Sequence, residues 1–267
     1  MNLADMIEAE IANGYGDANA QSKVCQDIIL KAISSSPLAN SMTIKGGVVM
    51  RSKTGSIRRA TQDLDIDFIR YSLADESIDM LISKLNCLDG ISIKKYGDIE
   101  ELKQQDYHGK RVHVEITDLH GNSIISKLDL GVHTYLDIEQ EEYCFDIAFD
   151  ENGASVLINS NEQMFTEKLK SLLRFGPIST RYKDIFDMYY LSTNVDYAKL
   201  DRCIDSFIFQ DEKMREKTMD DIVKRVQLSF SNKNYLRRIE SSKARWLDKD
   251  VPVIADAIIE TLQHCGK

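Results

Sequence analysis

Apolar and polar positions follow two different periods along the chain, and the change falls near residue 155. Before it, short β-branched stretches alternate with polar residues and turn signals, which indicates strands. Segments 3–12 and 20–34 are exceptions, because their apolar residues have the three-to-four spacing of a helix face. After residue 155 the helical spacing dominates. We therefore expect an α+β fold in which residues 1–155 form a domain with a mixed sheet and residues 156–267 form a helical C-terminal domain.

Individual elements can be predicted from the same periods. Leu64, Ile66 and Phe68 alternate with aspartates, which predicts a half-buried strand. Two further strands are expected at 112–116 and 124–130, joined by a short glycine-containing turn. The remaining periodic segments predict helices at 75–88, 162–175, 183–192, 197–209, 214–230 and 250–264.

Composition narrows the class of protein. The chain has 267 residues, 43% of them hydrophobic, which is enough to build one large domain or two modest ones. Its net charge of −9 argues against indiscriminate coating of nucleic acid but allows a local basic surface. No stretch approaches about 18 apolar residues, so we expect no contact with a membrane. Five cysteines without a CxxC spacing and an acidic N-terminus unlike a secretory signal predict reduced thiols in a cytoplasmic protein.

The most informative segment is an aspartate-rich strand. Asp63, Asp65 and Asp67 occupy alternate positions, so their three carboxylates share one face of the strand. Aspartate is a poor strand former and like charges repel, which suggests a compensating cation. Hard carboxylate oxygens suit Mg²⁺. The alternative is an edge strand whose solvent-facing side happens to be acidic.

Further acidic positions could complete such a cluster. Asp129 lies between two leucines on a second predicted strand, where a charge is unfavourable unless it meets the first carboxylates. Glu115 on the preceding strand is a rival for the same role. The metal-binding pair could be Asp63 with Asp65, or Asp65 with Asp67.

Two other segments have features of phosphate binding. Gly46 and Gly47 shortly precede the acidic strand, and a glycine pair lets the backbone approach a phosphate closely. Residues 168–183 carry five basic residues and no acidic one, a positive island in an acidic chain. The alternative for this island is a solvated helix face whose charges form ion pairs three residues apart.

Taken in order, these motifs resemble the abortive-infection toxin nucleotidyltransferases, the AbiEii-like toxins of type IV toxin–antitoxin pairs within the polymerase-β-like nucleotidyltransferase superfamily. The chain differs from the family pattern in its additional Asp67, in Val48 where Thr is frequent, and in lacking Gly-Asp after the third aspartate. The motifs that carry the resemblance are Lys45-Gly46-Gly47, Arg59-x-Thr61-x-Asp63-Leu-Asp65, Lys127-Leu-Asp129-Leu-Gly131, Glu167-Lys168-Leu and Arg181-x-Lys183-Asp184-x-x-Asp187.

The resemblance implies a Mg²⁺-dependent enzyme with a polymerase-β-like fold that transfers a nucleoside monophosphate from an NTP to an acceptor. By this resemblance, Asp63, Asp65 and Asp129 would bind Mg²⁺, and Asp129 would help to activate the attacking hydroxyl. Lys168 would contact the nucleotide phosphates. The rest of the nucleotide site would comprise Lys45, Gly46, Gly47, Arg59, Thr61, Arg181, Lys183, Asp184 and Asp187.

The expected acceptor is RNA, in particular tRNA. Residues 223–249 carry eight Lys and Arg around Trp246, the single tryptophan, and such a surface could neutralise acceptor phosphates. The alternative for this segment is a solvated basic helix face with a buried tryptophan. The resemblance also implies growth inhibition and a cognate antitoxin. Alternatives for the whole protein are a catalytically silent NTP-binding regulator, or nucleotidyl transfer to a small molecule or a protein.

Overall fold

The computed structural model describes residues 1–102, 109–135 and 137–265. The chain divides into two compact units, Met1–Asn159 and Ser160–Lys267. The first unit combines helices with a mixed sheet, and the described part of the second is helical. The predicted α+β fold class is therefore confirmed. That residues 1–155 form the catalytic domain stays a prediction.

The described part of the first unit is built on a seven-stranded sheet in the order β3-β4-β5-β2-β1-β7-β6. The strands are β1 (Met42–Lys45), β2 (Asp63–Ile69), β3 (Ile91–Leu102), β4 (Gly109–Asp118), β5 (Ser123–His133), β6 (Glu141–Ile147) and β7 (Asp150–Ile158). The helices are α1 (Leu3–Ala12), α2 (Asp17–Ser34), α3 (Gly46–Thr54) and α4 (Asp75–Leu85).

Two parallel strands at the centre of the sheet position the acidic residues. Strands β2 and β5 run parallel, and β1 and β4 run antiparallel to their neighbours β2 and β5. Leu64, Ile66 and Leu128 are fully buried in the core. Because successive side chains point to opposite faces, the aspartates that alternate with these leucines and isoleucine lie on the other face of the sheet.

Helix α2 is buried along most of its length. Val24, Ile28 and Ile29 belong to a core that surrounds the helix on several sides, as expected for a helix packed between other elements. Gln26 and Asp27 are buried among these apolar residues. Buried polar side chains need partners. Gln26 bonds to the backbone at the start of β2, and Asp27 pairs with a lysine of its own helix and an arginine of α3.

The second unit contains, in the described residues, α5 (Asn161–Phe175), α6 (Tyr182–Ser192), α7 (Tyr197–Ile204), α8 (Met219–Phe230), α9 (Lys233–Glu240) and α10 (Val251–His264). Two of the predicted helices differ at their ends. The helix predicted at 197–209 changes to wider, π-type turns after Ile204. The helix predicted at 214–230 begins only at Met219, because Thr218 and Asp221 form a capping box there.

Two general expectations can be compared with the described residues. All five cysteines are free thiols, as the sequence predicted. Within residues 1–102, 109–135 and 137–265, no helix is both long and apolar enough to cross a membrane.

Candidate active site

Four neighbouring strands bring two carboxylates and two cations into one row. Asp65 of β2 lies opposite Asp129 of β5 in the parallel register. On the outer sides, Arg111 of β4 lies opposite Asp129, and Lys45 of β1 lies opposite Asp65. Residues that lie opposite each other on neighbouring strands point to the same face. The row therefore reads Arg111, Asp129, Asp65, Lys45, with the two carboxylates at its centre.

Asp63 and Asp67 extend this cluster along β2, two residues to either side of Asp65. The ammonium of Lys127 lies 2.6 Å from Asp63 Oδ1, close enough for an ion pair, although its angle of approach does not make a hydrogen bond. Lys45 donates a hydrogen bond of 2.6 Å to Asp67 Oδ2. The second oxygen, Asp67 Oδ1, is buried and has no hydrogen-bond partner in the described part of the chain.

Arg111 engages both oxygens of Asp129. Its Nε donates to Oδ1 at 2.7 Å, and its Nη2 donates to Oδ2 at 2.8 Å. Asp129 is only 8% exposed, so this two-point, charge-assisted pair stabilises a carboxylate that would otherwise be buried without compensation.

Asp65 is the carboxylate whose charge is least favoured. Burial raises the pKa of Asp65 to about 6. The positive charge of Lys45 opposes this shift, whereas the negative charges of Asp129, Asp63 and Asp67 add to it. The raised pKa means that the ionised form of Asp65 is disfavoured, first by burial and then by the three neighbouring carboxylates.

The glycine pair packs directly against this cluster. Gly46 begins α3 with a φ of +68°, and a Cβ at this position would lie 2.2 Å from Asp65 Oδ2. A Cβ on Gly47 would lie 2.6 Å from Thr61 Oγ1. Any residue larger than glycine at 46 would therefore displace the Asp65 carboxylate. The first turn of α3, whose backbone N–H groups have no partner within the helix, also lies beside this carboxylate. Arg59, in a 3₁₀ turn just before Thr61, is buried.

A buried polar network supports the segment that leads into β2. Gln26 Nε2 donates to the backbone oxygens of Thr61 at 3.0 Å and Asp63 at 3.4 Å. Arg51 in turn donates to Gln26 Oε1 at 2.7 Å and lies 3.6 Å from Asp27 Oδ1. The sequence did not predict this network, because Gln26 and Asp27 lie beside the predicted apolar face of the helix, where polar side chains are expected to face solvent.

A second charged group lies within the second unit. Lys168 of α5 lies 3.2 Å from Asp184 Oδ1 and 2.9 Å from Asp187 Oδ2. Arg181 Nε donates to Asp184 Oδ2 at 2.5 Å. Trp246 is buried and donates from its indole nitrogen to Asp187 Oδ1 at 3.0 Å. This agrees with the interpretation that places Trp246 in the core and excludes it as an exposed stacking surface.

The predicted site residues thus form two groups, one within each unit. The alternative carboxylate, Glu115, does not join the first group, since it accepts a hydrogen bond from Ser123 at 2.9 Å and lies opposite Ile125. Lys183 lies in the first turn of α6 and is half-buried. The roles of all these residues in catalysis and nucleotide binding stay predictions. The first group comprises Lys45, Gly46, Gly47, Arg59, Thr61, Asp63, Asp65 and Asp129, and the second Lys168, Arg181, Lys183, Asp184 and Asp187.

The acidic cluster fits a divalent cation in its chemistry. It offers carboxylate oxygens on neighbouring strands, an Asp67 Oδ1 without a hydrogen-bond partner among the described residues, and a glycine at 46 whose missing Cβ leaves room for Asp65 Oδ2. Its arrangement is that of a charge-paired state, however. Among the residues that the structure describes, no three His, Cys, Asp or Glu side chains are arranged as a metal site. Arg111 and Lys127 hold Asp129 and Asp63 instead.

Comparisons with known proteins give a family match over most of the chain and distant structural similarities. The family described as "Nucleotidyl transferase AbiEii toxin, Type IV TA system" matches residues 28–250. A crystal structure of an antigenic nucleotidyltransferase-like protein from Paracoccidioides brasiliensis has 16% identity and a TM-score of 0.48, covering 85% of this chain and 93% of that chain. A solution structure of the antibiotic-resistance factor ANT(2'')-Ia has 16% identity and a TM-score of 0.42, covering 70% of this chain and 90% of that one. No curated protein matches the sequence.

Proposed function

Because the chain belongs to the AbiEii family of nucleotidyl transferase toxins of type IV toxin–antitoxin systems, we propose that it transfers a nucleoside monophosphate from an NTP to RNA, with tRNA as the expected acceptor. Family membership makes the chain a nucleotidyltransferase enzyme with a nucleotide substrate and an antitoxin partner. Nucleotidyltransferases of this kind typically use divalent metals. The proposal adds Mg²⁺ as the metal, RNA as the acceptor, the cytoplasm as the location, and the residues that act.

The observation that carries the proposal is the pairing of Asp65 with Asp129 beside the Gly46–Gly47 turn. In our proposal Asp63, Asp65 and Asp129 hold Mg²⁺. When bound, the metal would stabilise negative charge on the phosphoryl oxygens during in-line transfer. The backbone N–H groups at the start of α3 would bind a phosphate of the NTP. Asp129 would accept a hydrogen bond from the attacking hydroxyl and orient it.

The charged group of the second unit is proposed to bind the triphosphate. Arg181 is exposed over 62% of its side chain, so its guanidinium can reach a phosphate with little desolvation. Lys168 is buried and held by Asp184 and Asp187. To contact the nucleotide, the Lys168 ammonium would therefore have to leave one of these carboxylates and bind a phosphate oxygen, which is also negatively charged.

The direct test is to incubate the purified protein with each labelled NTP, Mg²⁺ and total RNA. We expect label to move to RNA, and we expect Asp63→Ala and Asp65→Asn to lower transfer by about a thousandfold. Asp79→Asn is the matched control, because Asp79 is an exposed aspartate that pairs with Lys95 outside the cluster. Full transfer by Asp63→Ala or Asp65→Asn would refute the site assignment.

The fate of the label also separates the acceptor classes. Label on a small molecule or on protein would replace RNA as the acceptor while leaving nucleotidyl transfer intact. Saturable NTP binding without any transfer would overturn the proposal and favour a catalytically silent regulator.

The basic surface of α8, α9 and the segment that follows α9 is the feature that favours RNA. Lys224, Lys233, Arg237 and Lys243 are all exposed. In a chain with a net charge of −9, these residues provide a local site for RNA phosphates. RNA binding to this surface should weaken as the salt concentration rises, because salt screens the charges and its cations compete for the phosphates.

We would test this surface by charge reversal. Lys233→Glu combined with Arg237→Glu should weaken RNA labelling most strongly at low salt and reduce the salt dependence of labelling by about one to two phosphate contacts. The matched control is Lys84→Glu with Lys94→Glu, two exposed lysines of the first unit. Equal losses in both double variants would indicate a general charge effect and contradict a specific RNA surface.

A further inference from the structure

Arg111 lies outside every motif that relates this chain to its family, yet it makes the closest contact with the third carboxylate of the proposed metal site. Both of its hydrogen bonds to Asp129 are short, at 2.7 and 2.8 Å, and both oxygens of the carboxylate are used. The Arg111 side chain is 28% exposed and that of Asp129 is 9% exposed. Two-point pairs of this kind are among the stronger polar contacts in proteins, and they fix orientation as well as charge.

This contact and metal binding make incompatible demands on Asp129. A divalent cation that takes an oxygen of Asp129 would lie close to a guanidinium that already binds both oxygens, and the two positive charges would repel. Asp63 is engaged in a similar way by Lys127, but that pair is about one-third exposed on both sides and lacks hydrogen-bond geometry. Arg111 is therefore the stronger of the two competitors.

Resting on the proposed metal site, we propose that Arg111 is a resident counter-ion that holds Asp129 in place in the metal-free protein and must release it when a divalent cation binds. Arg111 is in this view a positioning residue. Its positive charge offsets the repulsion among the carboxylates of the cluster while no metal is bound. It also raises the metal concentration that the site needs, because binding has to displace it.

This role predicts two effects of opposite sign on removing the guanidinium. The metal-free protein should become less stable, since Asp129 loses its partner while it is still buried. Metal binding should become tighter, because the competitor is gone. A side chain with a purely structural role would give the opposite result for the metal, since a loosened site binds its ligand more weakly.

Lys110 provides a matched control for charge. It is the neighbouring residue on β4, and it pairs with Asp75 at 2.6 Å and Glu101 at 3.6 Å rather than with the cluster. It lies opposite Leu130, so it points to the other face of the sheet. Lys110→Gln removes the same unit of charge without freeing Asp129.

The experiment measures metal binding to the full chain without nucleotide. Mg²⁺ affinity is determined by calorimetry, and Mn²⁺ affinity by the electron paramagnetic resonance signal of the free ion. We expect Arg111→Gln to tighten both dissociation constants by about tenfold, the value of one charge-assisted contact. We expect Lys110→Gln to change them by less than about twofold through screened, long-range charge alone. Thermal unfolding without metal should show a lower Tm for Arg111→Gln.

A second variant keeps the proposal testable if Arg111→Gln does not fold. Arg111→Lys retains the charge but not the two-point geometry, so it should tighten metal binding by a smaller factor, about twofold to fivefold. Unchanged or weaker metal binding in either folded variant overturns the role of Arg111. If the wild-type protein binds no divalent metal, or if Asp65→Asn binds as tightly as wild type, the proposed metal site itself fails, and the Arg111 proposal fails with it.

Discussion

The two charged groups of this protein differ in how completely their charges are compensated. In the first unit, carboxylates on β2 and β5 lie side by side on one face, and Asp65 has a pKa raised to about 6 by burial and by its acidic neighbours. Asp67 has a buried oxygen without a hydrogen-bond partner in the described part of the chain. In the second unit, Asp187 is fully buried but is bound by the Lys168 ammonium and the indole N–H of Trp246.

This difference distinguishes an acidic cluster that can accept a further cation from a charged group whose buried members already neutralise one another. A sheet face with several close carboxylates lowers the stability of the metal-free protein, and it gains stability when a cation binds. A buried ion group whose members satisfy one another is expected to be destabilised when any member is removed. Neutralising a carboxylate at the centre of the first group should therefore stabilise the metal-free protein, whereas removing a buried member of the second should destabilise it.

The largest effect on stability is expected for Lys168→Met. The substitution preserves the size of the side chain but leaves Asp184 and Asp187 buried without their shared cation. We expect a loss of about 3–5 kcal/mol in the free energy of unfolding. Urea unfolding followed by fluorescence measures it locally, because Trp246 is the single tryptophan and contacts Asp187 directly.

The control for Lys168→Met removes another lysine of α5, one whose aspartate partner is more exposed. Lys170→Met separates Lys170 from Asp211, whose side chain is 17% exposed and lies 2.7 Å away. The loss should be clearly smaller, because water can solvate Asp211. A similar loss in the two variants would contradict the view that the Lys168 group is a buried structural unit.

The next largest effect is expected at Gly46, the first residue of α3, which lies against Asp65. Gly46→Ala should lower transfer by about 10- to 100-fold, because the added Cβ displaces the Asp65 carboxylate. Gly55→Ala, at the C-cap of the same helix, is the matched control, since Gly55 also has a positive φ, +61°, but open space where a Cβ would lie. Both variants should lose about 1 kcal/mol of stability from backbone strain. Only Gly46→Ala should lose activity, and equal activity in the two would contradict the role of the close contact.

The parts of the fold that the sequence predicted share a physical feature. Strands β2 and β5 bury alternate residues, so their period of two was visible in the sequence. Strands β3 and β6 lie at the two edges of the sheet, and β3 is exposed along most of its length after Ile93. No alternation marks such a strand, because neither face is strongly buried. These edges were consequently not predicted.

In the site, too, features that depend on one segment were predicted, whereas the contact that depends on strand pairing was not. Alternation alone placed Asp63 and Asp65 on one face, and the flanking leucines singled out Asp129. The partner of Asp129 depends on the register of β4 against β5. A hairpin that turns about residue 120 places residues nine before and nine after it opposite each other, which are Arg111 and Asp129. The turn was predicted, so the pairing could have been derived by extending its register.

The pH dependence of stability should report how strongly the folded, metal-free protein disfavours the ionised form of Asp65. Its folded pKa, about 6, lies above the ordinary value of 3.8, so folding favours the protonated form. The stabilisation is complete below about pH 4 and is lost as pH rises through 6. Asp65→Asn cannot ionise, so in the metal-free protein it should match wild type near pH 4 and exceed it by about 3 kcal/mol at pH 7.5. Thermal unfolding between pH 4 and 8 provides the measurement.

Asp118 provides a control with the opposite sign. Although burial opposes the shift, hydrogen bonds from Asn122 and from the backbone N–H of Leu3 lower the pKa of Asp118 to about 2. Its contribution to stability is present above about pH 4 and is lost as pH falls towards 2. Asp118→Asn should therefore destabilise the protein at pH 7.5. If Asp65→Asn also destabilises the metal-free protein there, the acidic cluster is not the uncompensated site that we describe.

The smallest effect on stability is expected at Arg181, and for that reason this residue gives the cleanest functional test of the second group. Its side chain is 62% exposed, so its ion pair with Asp184 should contribute less than about 0.5 kcal/mol. Arg181→Gln should leave urea unfolding almost unchanged while raising the KM for NTP by about tenfold, through the loss of one phosphate contact. Arg202→Gln, which removes another exposed arginine of the same unit, should change neither quantity. A normal KM in Arg181→Gln would restrict the second group to holding the fold, and the nucleotide would then have to bind through the glycine turn and the acidic strands alone.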